Sequence, residues 1–201
     1  MSDLLAFVAI GFRHITDLAA MDHILFLLAL AAVYRGREWR DALWVISAFT
    51  VGHSVTLALA VTGTLPLSAP VVEFLIPVTI VATAVANVAE SGRAARQRRG
   101  TYRAVLAGVF GLVHGAGFAG YLRSLFVDPI AVPLFGFNVG IELGQIVVLA
   151  IIGAALAAID WTLRRAGPLH PAASRLRLRV VTLSLLVGVV AAEWAVERRP
   201  W

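Results

Sequence analysis

Four of the five histidines of this chain lie in or at the mouth of apolar segments: His14, His23, His53 and His114. Carboxylates stand in or at the ends of the same or neighbouring segments, at Asp22, Glu73, Glu142 and Glu193. An ionisable side chain near a bilayer centre costs roughly 2.5–3.5 kcal/mol on insertion scales, so such groups are rare there unless they bind or move something. Imidazole with carboxylate is a ligand set for divalent metals. The chemistry to expect is therefore metal binding inside the membrane. The candidate ligands are His14, Asp22, His23, His53 and His114, and Glu73, Asn138, Glu142 and Gln145 are candidates for polar support or charge compensation. His170 falls in an arginine-rich loop and carries no such expectation.

The elements that must hold these residues are membrane helices. The chain has 201 residues, of which 60% are hydrophobic and only 14% charged, with a mean hydropathy of +0.86. Long apolar runs of this kind specify an all-α, polytopic transmembrane bundle, read here as a single domain over residues 1–201. Cysteine is absent, which excludes disulfides and thiolate metal sites. Every basic residue is arginine, and the pI is about 10.9. The arginines cluster between apolar segments, so their charge belongs to loops facing lipid headgroups and not to nucleic acid. The N-terminus has neither a basic n-region nor a small-residue cleavage site, so no removable signal peptide is expected.

Six spanning helices are predicted, at about 18–34, 42–62, 70–90, 103–122, 128–158 and 179–197. A short apolar helix over 3–12 precedes them, too short to span and therefore interfacial or re-entrant. Asp17 is a candidate N-cap for the first span, and Asp128-Pro129 opens the fifth with a cap and a proline at the first helical position. The arginine-rich loops follow spans one, three and five, and alternate loops are nearly free of charge. The positive-inside rule makes the rich loops cytoplasmic and puts both termini outside, in a multi-pass inner-membrane protein. His53 then lies about eleven residues from the inner end of its span, roughly 16 Å at 1.5 Å per residue, and His114 lies at the same depth. Asp22 and His23 fall near the outer end of span one. Glu73 begins span three on the outer side, Glu142 is in the outer half or middle of span five, and Glu193 is near the outer end of span six. Glu90 sits at the inner end beside the arginines, where pairing with one of them is expected.

Five patterns refine this. Gly136, Gly140 and Gly144 form a GxxxGxxxG ridge that lets a neighbouring helix approach closely. Asn138, Glu142 and Gln145 share a face roughly opposite that ridge, available either to a polar interior or to hydrogen bonds with other helices. Pro77 lacks an N–H, so the carbonyl of Glu73 loses its helical partner and either lines a cation path or marks an ordinary kink. Phe49-x3-His53 with Val72-Glu73, and Phe110-x3-His114 with Ile141-Glu142, also suggest a weak parallel repeat. Asp22 next to His23 suits an arrangement in which the carboxylate orients the ligating imidazole.

Taken together, Asp22-His23-Ile-Leu-Phe-Leu, Phe49-Thr-Val-Gly-His53-Ser-Val-Thr-Leu, Val72-Glu73, Phe110-Gly-Leu-Val-His114-Gly-Ala-Gly-Phe-Ala and Phe137-Asn-Val-Gly-Ile-Glu142-Leu-Gly-Gln145 resemble the HupE/UreJ family. The members of this family include nickel permeases linked to hydrogenase and urease maturation. The resemblance spans about residues 10–150 and implies a divalent metal at a signature histidine–aspartate motif formed by His14, Asp22 and His23. The family has five residues between the first histidine and Asp-His, whereas seven separate His14 from Asp22, so the helical stagger is not preserved. Three functions fit: a nickel- or cobalt-type permease, a metal-stabilised accessory subunit of a larger membrane complex, or an intramembrane zinc hydrolase with Ser54 or Glu142 assisting. The expected partners are the lipid bilayer and a membrane protein or a second copy of the chain.

Overall fold

The computed structural model describes residues 3–19, 21–35, 38–65, 68–91, 99–118, 130–165 and 172–201. Where no water can satisfy the backbone, helices are the economical solution, and the described residues form seven: α1 (Asp3–Thr16), α2 (Met21–Ala31), α3 (Trp39–Val61), α4 (Ala69–Glu90), α5 (Arg99–Gly117), α6 (Ala131–Arg165) and α7 (Ala172–Glu197). No strand occurs among them. Gly63 closes α3 in the left-handed region at φ 73°, and Thr64 and Leu65 both donate their N–H to the carbonyl of Leu59, which serves carbonyls left over at the helix end. Asp128-Pro129, His170 and most of the residues between α5 and α6 lie outside the described residues.

Four helices are long and apolar enough to cross a bilayer: α3, α4, α6 over Ala131–Thr162 and α7 over Ser174–Glu197. Each leaves large apolar side chains exposed, among them Val51, Val55, Val85, Ile151, Leu185 and Val189. Surfaces of this kind belong against lipid. The chain is a membrane protein, and the regular elements of its described residues are all helices.

The N-terminal region departs from expectation. The helix forecast over 3–12 runs on to Thr16, and the span forecast over 18–34 is helical only from Met21 to Ala31. The two helices meet at a 69° bend and count as a fifth crossing if taken as one broken span. Asp17 does not directly precede α2. Its carboxylate accepts the N–H of Ala19 in the turn between the helices, at 2.9 Å.

Three helix pairs organise the bundle. α1 runs parallel to α6 with almost no space between backbones: a Cβ on Gly140 would meet the Val8 carbonyl oxygen at 2.1 Å, and one on Gly11 the Phe137 carbonyl oxygen at 2.0 Å. The ridge forecast on α6 is thus the seat of α1. α3 and α5 pair in the same way, also parallel. A Cβ on Gly52 would meet the Gly108 carbonyl oxygen at 2.0 Å, and a Cβ on Gly111 that of Phe49 at 2.1 Å. α4 and α7 are antiparallel, with Asn87 donating to Ser184 at one end and Phe74 against Trp201 at the other.

α2 lies between these pairs, touching α4, α6 and α7, and is buried on nearly all sides. Its frayed end is tied down from outside. Asn87 Nδ2 donates to the Ala29 carbonyl at 2.8 Å, and Arg179 donates to that of Tyr34 at 2.8 Å. Arg103 reaches both Asn87 and Glu90 at 2.8 Å, the arginine pairing expected for Glu90.

Candidate metal centre

Four helices deliver four imidazoles to one place. His14 ends α1, His23 begins α2, His53 is in the middle of α3 and His114 is near the end of α5. The His14 and His23 ring centroids are 4.6 Å apart, His14 and His53 6.2 Å, and His23 and His114 5.5 Å. His14, His23 and His53 each present a nitrogen such that all three atoms lie within 4.8 Å of one another. The turn between α1 and α2 makes this possible. The seven residues between His14 and Asp22 do not have to preserve a stagger on one helix, because the bend brings the two rings together.

This revises the expected depth. Counting along a straight first span puts Asp22 and His23 near the outer surface, away from His53 and His114. α1 ends in the bend before α2, and His23 joins His14, His53 and His114. Among the described residues the histidines form one cluster.

The protonation pattern follows from the hydrogen bonds. Asp22 Oδ1 lies 3.0 Å from His23 Nδ1 and also accepts the His23 backbone N–H. An ionised carboxylate can only accept, so Nδ1 carries the proton and the Nε2 lone pair of His23 is left over. Thr79 plays the corresponding part for His114. Its hydroxyl donates to the Ile76 carbonyl at 2.7 Å, and its oxygen is 3.0 Å from His114 Nε2. With its one proton committed, Thr79 accepts from Nε2–H and leaves Nδ1 of His114 as the lone pair. Neither leftover nitrogen has a partner, nor do His14 Nε2 or either nitrogen of His53. His53 is 0% exposed, His114 2% and His23 5%. A buried polar atom without a partner costs roughly 1–3 kcal/mol, and here His14, His23 and His53 each bring a ring with such an atom to a common point, with His114 beside His23. A divalent cation is the species that such a set of neutral imidazole lone pairs fits, and the absence of thiolate leaves nitrogen as its donor.

Phenylalanines close the cluster above and below. Phe118 and Phe137 stack at 5.3 Å with an interplanar angle of 7°, and Phe118 covers His14 at 4.0 Å. Towards the arginine-rich end, Phe26 lies 4.9 Å from Phe49 and 6.3 Å from Phe110, while Phe49 is 5.2 Å from His114.

The supporting residues divide. Asn138, Glu142 and Gln145 do not reach the imidazoles. They bond the hydroxyl face of α3 instead: Ser47 donates to Glu142, Thr50 is 2.9 Å from Gln145 Oε1, and Ser54 is 2.6 Å from Asn138 Oδ1. The partners that claim this face are Ser47, Thr50 and Ser54, spaced i, i+3, i+7 on α3, a match that sequence reasoning passed over. Glu73 and Glu193 are exposed on their helices, so neither joins the cluster. Ser54, the hydroxyl that a hydrolase would need beside a metal, is engaged with Asn138 and with the Thr50 carbonyl at 2.6 Å. The residue missed as a site member is Thr79, whose signal was its position on α4 just past Pro77.

No curated protein matches the chain, and no solved structure does. The family profile described as "HupE / UreJ protein" matches residues 1–198, almost the whole length, and the chain belongs to the HupE/UreJ family.

Proposed function

We propose that this chain is a permease for a divalent cation of the nickel or cobalt class, which it carries as substrate across the inner membrane. The reading rests on one observation: the five unpartnered, buried ring nitrogens of His14, His23, His53 and His114. Membership of a family associated with nickel and cobalt transport supports it. His14, His23 and His53 hold the ion, with Asp22 behind His23 fixing its tautomer and supplying the nearest negative charge. His114 is the fourth imidazole, next to His23, and receives or passes on the ion. The phenylalanines on either side exclude water, so the ion must exchange its hydration shell for imidazole before it enters.

The proposed topology has six crossings, with α1 and α2 forming one broken span, both termini outside, and the arginine-rich loops cytoplasmic. A break at membrane depth is tolerated where it lines a site inside protein. Here the break lies beside the histidines.

The test is isothermal titration of the purified protein with nickel, cobalt and zinc, paired with uptake into vesicles. Saturable binding that disappears in a His23→Ala, His53→Ala variant, together with uptake lost in the same variant, is the expected result. Binding unchanged in that variant would overturn the site. Binding without uptake would overturn transport and leave the accessory-subunit function.

A further inference from the structure

A cavity of about 730 Å³ opens at the arginine-rich end of the bundle, far from the histidines in the fold, between the end of α2, the start of α3, the second half of α6 and the start of α7. This is within the usual size of ligand pockets, roughly 300–1,000 Å³. Its chemistry is divided along its length. The walls are apolar, with Leu43, Ile146, Leu149 and Leu156, whereas Arg35, Arg175 and Arg179 line it with, among the described residues, one carboxylate, Asp160. A cation exit would not be lined with three guanidinium groups and a single acid. The balance selects an anion, and the walls select one with a hydrocarbon tail.

Arg179 shows that the polar end is built. Its side chain is only 8% exposed. One terminal nitrogen is held by Asp160 and the other donates to the Tyr34 carbonyl. Nε is buried without a partner. The guanidinium is therefore fixed in direction, and Arg179 lines the cavity together with Arg35 and Arg175. Guanidinium donors in fixed geometry suit phosphate oxygens. The position, where an apolar interior meets arginine-rich loops, is where phospholipid headgroups lie.

We propose that this cavity binds one anionic phospholipid, its phosphate on Arg175 and Arg179 and an acyl chain between α3 and α6. The site is independent of the metal cluster: it shares no residue with the cluster, and the lipid can be lost while metal binding persists. Gly153 gives a clean way to fill it. Gly153 lines the cavity, and a Cβ built there meets nothing within 4 Å, so Gly153→Phe occupies the space without disturbing the helix packing.

The experiment uses delipidated full-length protein in detergent, titrated with dioleoyl phosphatidylglycerol, dioleoyl phosphatidylcholine or inorganic phosphate, with native mass spectrometry and melting temperature as readouts. One phosphatidylglycerol should remain bound and raise the Tm. Phosphatidylcholine should bind about tenfold more weakly or worse, and inorganic phosphate should leave the Tm unchanged. Gly153→Phe and Arg175→Gln should each elute as the native protein does and lose the phosphatidylglycerol shift. Retention of the shift in Gly153→Phe would overturn the site. Equal binding of the zwitterionic lipid would overturn its charge selectivity, and an equal effect of inorganic phosphate would overturn the lipid as occupant.

Discussion

Asp22 and Thr79 act alike on two different rings: each accepts the N–H of one nitrogen and leaves the other nitrogen's lone pair to the cluster. Partners that set a ligand's tautomer are typically worth about 10–100-fold in metal affinity. Asp22→Asn should accordingly weaken binding by about that factor without abolishing it, whereas Glu73→Gln, on an exposed position, should change it less than about twofold; titration calorimetry on both variants distinguishes the two carboxylates. Because ligating imidazoles must be neutral, protons compete with the ion. Affinity should therefore fall as the solution is made acid and level off in the alkaline direction, with proton release on binding measurable in buffers of different ionisation enthalpy. At this scale much was legible. Equal depth on two helices made His53 and His114 the expected pair, whereas the nitrogens that lie within 4.8 Å of one another belong to His14, His23 and His53; Asp-His adjacency was enough to expect a carboxylate behind an imidazole. The bend that brings His23 to His14 was not legible, because nothing in Asp17-Leu-Ala-Ala announces it: there is no glycine or proline, only an aspartate whose turn-forming bond to Ala19 appears once the chain is folded.

Helix pairs set the distances on which those ligands depend. A Cβ on Gly115 would come within 2.2 Å of the His53 carbonyl oxygen and 2.9 Å of its Cα, so the α3–α5 seam fixes where His53 stands. Gly115→Ala should push α5 off α3, cost about 1–3 kcal/mol as overpacking does, and weaken metal binding along with stability. Gly140→Leu should lower folded yield through the α1–α6 seam. Gly153→Leu, in open space, should do neither; thermal melts of the three variants in one detergent check the ranking. Sequence named the ridge on α6 but not its partner, because a small-xxx-small pattern states how near a helix comes and not which one. The polar face of α6 was read correctly as a face. Its hydroxyl partners on α3 were legible in principle, since Ser47, Thr50 and Ser54 repeat on one side of that helix, but serine and threonine in a membrane helix often bond their own backbone, as Thr50 does to Ile46.

At the scale of the molecule, the arginine distribution predicts which end faces the cytoplasm. The chain has no cysteine, so single substitutions report cleanly. Ser68→Cys, before α4, should react with an impermeant maleimide from outside, and Ser174→Cys, at the start of α7, only after permeabilisation. Labelling of both from one side would rule out the topology. The folded end bears the same stamp. The contacts of Arg103 with Glu90 and of Arg179 with Asp160 gather where the arginine-rich loops are, and the aromatic pair Phe74–Trp201 marks the opposite end.

The seam between α1 and α6 joins residues that are made far apart in time. α1 has 14 residues, about 21 Å of helix at 1.5 Å per residue, and a bilayer core is about 30 Å thick. Its close-fitting surface is the glycine ridge of a helix that begins at Ala131. A growing chain must therefore carry α1 through the synthesis of α2 to α5 before its seat exists. His14, near the end of α1, is the first of the four imidazoles to be translated, and its helix is seated by one made after all of them. The glycine ridge of α6 thus seats the helix of His14, although all four imidazoles lie on earlier helices.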